Sequence, residues 1–199
     1  MRKFIALAVI VLGMTLVVGA QEVPQVEIFG GYSLFHYDQM DVGSFVGPGV
    51  SINQNLNGWE GAFQYNINKW FGAVADFSGH YGTPVDVSGV GSVTGNTYNY
   101  MFGPQVNVRG KKVKGFGHVL FGVNHFKLND SPALLFTGGS DNAFGMALGG
   151  GVDVKAYKTI AVRVAQFDYI MTQHDLGLNL GHQNNWRFSA GVVFNLGQK

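Results

Sequence analysis

The feature that most constrains this chain is an alternation of period two that recurs along it and closes it. In the last stretch, "NNWRFSAGVVFNLG" (184–197), every second residue is Trp186, Phe188, Ala190, Val192, Phe194 and Leu196. The residues between them are Arg187, Ser189, Gly191, Val193 and Asn195. Successive side chains of a β-strand point to opposite faces, so this segment has one large apolar face and one lean, polar face. The same division runs through seven earlier segments, 26–37, 58–67, 70–81, 97–109, 113–126, 143–154 and 159–171. Past residue 20 no helical periodicity of useful length interrupts them. Two irregularities stand out. The segment 159–171 loses its phase at Gln166-Phe167-Asp168-Tyr169, where a bulge would shift it, and Pro104 removes one ladder bond from 97–109.

The connections alternate as well. Residues 66–69, 110–112 and 155–158 read as hairpin turns, whereas 38–55, 82–96, 127–142 and 172–183 are long and rich in Gly, Ser, Asn and Asp. An even number of strands, with short turns at one end and long loops at the other, predicts an all-β, eight-stranded antiparallel up-and-down transmembrane β-barrel. The N-terminus fits export. Met1-Arg2-Lys3 is basic, 4–18 is apolar or small apart from Thr15, and Val18-Gly19-Ala20 offers small residues at a cleavage point. We therefore expect a signal peptide at 1–20 and a barrel domain at 21–199. Retention as an uncleaved anchor is the alternative, against which stands the brevity of the apolar run, since a spanning helix needs about 20 residues.

Composition decides which face meets solvent. Charged residues make up only 13% of the chain, against about 25% in an average globular domain. Without Arg2 and Lys3 the 13 Lys and Arg fall to 11 against 12 Asp and Glu. No basic arm or face suggests nucleic acid. With no cysteine there is no disulfide, thiol nucleophile or thiolate metal site. A soluble, lipocalin-like carrier would need a wettable outer face. Here the lean list is mostly Gly, Ala, Ser, Asn and Gln, which suits the filling of a narrow barrel better than a coat. The bulky list holds Trp59, Phe63, Tyr65, Phe71, Tyr81, Tyr98, Tyr100, Trp186 and Phe194, many near strand ends, as interfacial aromatic girdles require.

The stretches "LNGWEGAFQYNINKWFGAVADFSGHYG", "GGGVDVKAYKTIAVRVAQFDYIMT" and "NNWRFSAGVVFNLG" resemble the small outer-membrane β-barrel family, the OmpA/OmpX-like transmembrane domain. That resemblance implies a bacterial outer-membrane location and a last strand read by the barrel-assembly machinery. Phe188, Val192, Phe194 and Leu196 match the spacing of that signal, although Gly197-Gln198-Lys199 follows them.

Charged residues on the lean face should pair, because isolated charge inside a barrel is expensive. Counting from the short turns gives two expected clusters: Glu60 with Asp76 and Arg187, and Arg163 with Asp153 or Glu27. A plugged interior is the plain reading of both, and a gated ion path the functional one. Ser78, His80 and Glu60 could be imagined as a hydrolytic set, but they face the lumen and no nucleophile-elbow motif supports them. The six scattered histidines lack zinc-motif spacing, and "GVGSVTG" (89–95) opens no helix that would make it a phosphate loop. Leu134, Leu135 and Phe136 place an apolar tip on the third long loop, suited to self-packing or to a partner. The expected protein is thus a non-enzymatic outer-membrane barrel without cofactor or metal. Its partners are membrane lipids and the assembly machinery, and its work is structural or done by the loops 38–55, 82–96, 127–142 and 172–183. The alternatives are a soluble periplasmic carrier or a narrow ion-conducting pore.

Overall fold

A computed structural model describes residues 23–37, 50–52, 55–87, 91–132, 137–173 and 182–198. The expected signal peptide and the loop tip at Leu134–Phe136 lie outside them. The described strands are β1 (Pro24–Tyr37), β2 (Val50–Ile52), β3 (Asn55–Asn66), β4 (Phe71–Val87), β5 (Gly91–Arg109), β6 (Val113–Leu128), β7 (Gly139–Lys155), β8 (Ile160–Gln173) and β9 (His182–Gln198). All except β2 form one antiparallel ring, each paired with its neighbours in sequence. The ring closes where β1 meets β9, from Pro24↔Gln198 to Tyr37↔Asn185. Closure leaves no strand edge unpaired, the condition for a sheet to lie in hydrocarbon.

The four long connections are shorter than their composition suggests. β4 and β5 continue as a paired hairpin to Val87↔Gly91, with a register shift between Gly82 and Val85, and β2 adds to the outside of β4 at Val50↔Val87. β6 and β7 likewise stay paired to Leu128↔Gly139, and β8 and β9 to Gln173↔His182. Thus 82–87, 91–96, 127–128, 139–142, 172–173 and 182–183 are strand, not loop. The reason is that β4 and β5 are 17 and 19 residues long, while about 9–11 tilted residues cross a bilayer. The surplus rises beyond the membrane, where mutual pairing still satisfies the backbone.

Both irregularities resolve. β8 shifts register between Arg163 and Gln166, so that Gln166, Asp168, Ile170 and Thr172 turn inward behind Ala161 and Arg163. Pro104 faces outward and pairs with Ala73 of β4, while the ladder to β6 passes from Phe102↔Phe121 to Gln105↔His118. Its missing donor therefore falls on the β6 side, where Gly103 lets the two backbones approach so closely that a Cβ would meet Val119 O.

Neighbouring residues show how sharp the two faces are. Val192 is 37% exposed and Val193 1%; Phe121 is 44% exposed and Leu120 none. Phe63, Phe102, Phe121 and Val192 form a central apolar belt. Towards the loop end sit Trp59, Tyr81 and Tyr98, with Trp59 Nε1 donating to Tyr81 Oη at 3.4 Å and the Tyr81 and Tyr98 rings 5.8 Å apart. Trp186 packs in tilted contact with Phe167 and Tyr169 on the same rim, ring centres 4.9 and 4.7 Å away. Tyr65, Trp70, Phe71 and Phe194 ring the turn end. Between these rims the outward positions of the described strands carry no Asp, Glu, Lys or Arg. Such a surface is compatible with lipid and not with water.

Single cysteines carrying a spin label test this orientation. Labels at Phe63 and Val192 should be quenched by oxygen dissolved in the bilayer and be inaccessible to a water-soluble nickel chelate. A label at Thr94, beyond the aromatic rim and exposed, should behave in the opposite way.

Candidate functional site: the filled lumen

The inward side chains meet because eight strands leave little more than side-chain room. Arg187 of β9 is wholly buried at the centre. Its Nη1 and Nη2 donate to the two carboxylate oxygens of Asp76 at 2.7 and 3.2 Å. Nε and Nη2 donate to Asp168 Oδ2 at 2.9 and 2.7 Å. Nε also lies 3.3 Å from Glu60 Oε2, and Nη1 donates to Ser78 Oγ at 3.1 Å. Three carboxylates therefore converge on one guanidinium, whose planar fork serves two of them at once. The remaining acceptors are also engaged. His118 Nε2 lies 2.7 Å from Asp168 Oδ1, Gln166 donates to both Glu60 and Asp168 at 2.8 Å, and Ser189 donates to Glu60.

A second group occupies the turn end. Arg163 donates through Nε and Nη2 to Asp153 at 2.8 and 3.3 Å, and its guanidinium carbon sits 4.1 Å from the Phe29 ring centre and 4.3 Å from that of Phe116. This is a cation held between two aromatic rings, favourable where water is excluded. Lys114 Nζ pairs with Asp153 at 2.8 Å and also with Glu27, and Arg109 Nη2 pairs with Glu27 at 2.8 Å. Of the two partners the sequence offers Arg163, the geometry brings Asp153 to it and gives Glu27 to Arg109 and Lys114.

Gln166 joins the two groups, because its Oε1 accepts from Arg163 Nη1 at 2.6 Å while its amide donates to the central carboxylates. Counting Ser33, which accepts from Ser189 at 2.9 Å, every strand of the ring contributes to one connected network. Asp168, Gln166, His118 and Lys114 are members that the two expected clusters lack. Asp168 and Gln166 follow the β8 bulge, so their facing depends on where the phase shifts. The hydrolytic arrangement does not form. His80 Nε2 lies 2.8 Å from Ser33 Oγ, and Ser78 is engaged by Arg187 and Asn99.

The lumen is also less polar than the lean face suggests. Phe35, Leu56, Val74, Met101, Leu120, Ala147 and Ile170 form one buried apolar cluster with Tyr37. Seven of the eight ring strands contribute to it. On β1, β3 and β8 it lies on the loop side of the Arg187 network, whereas on β4 Val74 lies on the turn side of Asp76, so charge and hydrocarbon interlock to fill the barrel. Below it, a central cavity of about 10 Å³ is lined by Gln64, Asp76, His118, Arg163 and Gln166 among others, room for about one water. Phe188, Val192, Phe194 and Leu196 all project outward from β9. Gly197 beyond them takes a positive φ of 66°, which bends the end of the strand.

Two substitutions should expose the energetics. Arg187→Met leaves three buried carboxylates facing one another and should destabilise the folded barrel by about 3–5 kcal/mol, read as a fall in the urea midpoint. Gly149→Ala should also lower it, because a Cβ there would strike Asp168 Oδ1, whereas Gly115→Ala adds a methyl in open space and should not.

No family model and no curated protein matches the chain. Solved structures do. Ail, the attachment invasion locus protein of Yersinia pestis, superposes with a TM-score of 0.56 at 16% identity, over 86% of this chain and 99% of that one. Neisserial surface protein A superposes with a TM-score of 0.59 at 11% identity, over 86% and 97%. OprG of Pseudomonas aeruginosa gives 0.59 at 15% identity, over 89% and 98%. This chain thus has the fold of the small, OmpA/OmpX-like outer-membrane β-barrels.

Proposed function

We propose that this protein is a non-enzymatic barrel of the bacterial outer membrane, exported by removal of residues 1–20, whose work is done at its ends and not through its lumen. The observation that carries this reading is the filled interior, in which an ionic network and an apolar cluster leave room for about one water, among the charged and amide side chains. A lipocalin-like carrier would need a cavity of about 300–1,000 Å³ enclosed within the barrel wall, where only about 10 Å³ is open, and open aqueous channels accompany about 16 strands. Hydrolysis of a lipid would need a nucleophile on the outer wall, whereas Ser78 and His80 face inward and do not pair.

What remains is the envelope itself and the loop end. The belt fixes the barrel among lipids, and the segments 38–55, 82–96, 127–142 and 172–183, strand extensions included, are offered to the outside. An interaction or adhesion role for them is supported by Ail, an attachment invasion locus protein also crystallised with the heparin analogue sucrose octasulfate (TM-score 0.54, 16% identity). Phe188, Val192, Phe194 and Leu196 serve as the signal for the assembly machinery, as their outward, alternate spacing suits.

Fractionated cells should yield the protein in the outer-membrane pellet, with faster gel mobility before boiling than after. Recovery in the soluble fraction would overturn the reading. In planar bilayers the purified protein should carry no steady current, and a steady, ion-selective current from heat-shiftable protein would replace the proposal with a channel. In the native host, a loop-truncated chain that restores envelope integrity but not surface attachment would divide the two roles.

A further inference from the structure

The turn end of the barrel opens into a cup of about 590 Å³ between the β5–β6 and β7–β8 turns. Six cations line it, Arg109, Lys111, Lys112, Lys114, Lys155 and Lys158, against two carboxylates, Glu27 and Asp153. Both carboxylates are committed to the floor, Glu27 to Arg109 and Lys114, Asp153 to Lys114 and Arg163. Lys111, Lys112, Lys155 and Lys158 are exposed, and none has an ion-pair partner among the described residues. The backbone nevertheless holds them together. Lys155 N donates to Lys112 O at 2.8 Å, locking the two turns side by side, and Gly110 N donates to Val113 O at 2.7 Å. In the floor, Arg109 Nε is buried and has no acceptor. A buried donor without a partner is costly, and several like charges around one cup repel one another. One ligand would relieve both: a compact anion with several charges and several acceptor oxygens.

We infer that this cup is a binding site for a multivalent phosphate anion. Phosphate supplies acceptor oxygens in several directions, which suits freely rotating ammonium groups and a guanidinium edge together. The concave floor selects a compact group over an extended chain. The phosphate can be that of a soluble polyphosphate-type anion or that of an anionic lipid headgroup in the adjoining leaflet. Only the second source depends on the membrane reading above.

Calorimetric titration of the purified protein in zwitterionic micelles with tripolyphosphate tests the site. Binding should weaken as salt is raised. The fourfold variant Lys111→Gln, Lys112→Gln, Lys155→Gln, Lys158→Gln should bind about tenfold or more weakly, as expected for several exposed charge contacts acting together. The control Lys69→Gln, Lys127→Gln removes cations from another turn and from the loop end and should bind as the unaltered protein does. Heat-shifted gel mobility reports folding of each variant, separately from binding. In phosphatidylcholine nanodiscs, loss of tripolyphosphate binding on adding phosphatidic acid, whose phosphomonoester headgroup can carry two charges, would identify the lipid headgroup as occupant, and undiminished binding would identify the soluble anion. Absence of binding, equal binding by the fourfold variant, or an equal loss in the control would overturn the inference.

Discussion

A strand in hydrocarbon has nowhere to send an unpaired amide, and the rest of this structure follows from that constraint. The ladder between β1 and β9, running from Pro24↔Gln198 to Tyr37↔Asn185, removes the last two edges. Closure fixes an inside and an outside, and the period-two pattern then assigns every side chain to one of them. Where the ladder is compromised, the sequence compensates locally. Gly103 permits a close approach of β5 to β6 next to Pro104, and the β8 bulge after Arg163 re-aims the remainder of that strand.

Closing eight strands also creates a volume too narrow for bulk water yet lined by ionisable groups. Burying a charge without a partner is prohibitive, so the interior is organised by mutual satisfaction. Arg187 gathers three carboxylates, Arg163 is held between Phe29 and Phe116 while reaching Asp153, and Gln166 bridges the two groups. Gly149 shows how tightly the network constrains its surroundings, since even a methyl group there would collide with Asp168. The apolar cluster around Met101, Leu120 and Ile170 fills the remaining space, with the Tyr37 hydroxyl as the one side-chain polar group among its buried members.

Much of this was legible in the sequence, and the parts that were not share a physical cause. Strand faces follow from local alternation, so the outward belt and the inward facing of Glu60, Asp76 and Arg187 could be read residue by residue. Contacts across the lumen depend on stagger between strands, which no single strand encodes. That is why Glu27 could be assigned to Arg163 as readily as to Arg109 and Lys114. It is also why seven apolar side chains on lean faces, Leu56 and Ile170 among them, gave no sign that they meet. Asp168 lies past a bulge, where alternation stops counting correctly. The strand extensions beyond the membrane were hidden by composition, because Gly, Ser and Thr around Val85, Val87 and Val93 resemble loop.

The connected interior bears on the order of assembly. Arg187 and Asp76 are 111 residues apart, Glu60 and Ser189 are 129, and Ser33 and Ser189 are 156. These contacts have very high contact order and are available only when the C-terminal strand arrives. Until then Glu60, Asp76 and Asp168 lack their common counter-ion, so a partly built sheet would present naked carboxylates to lipid. Seam closure and charge neutralisation are thus one late, cooperative event, and a chain missing its last strand has no half-stable resting point in the bilayer.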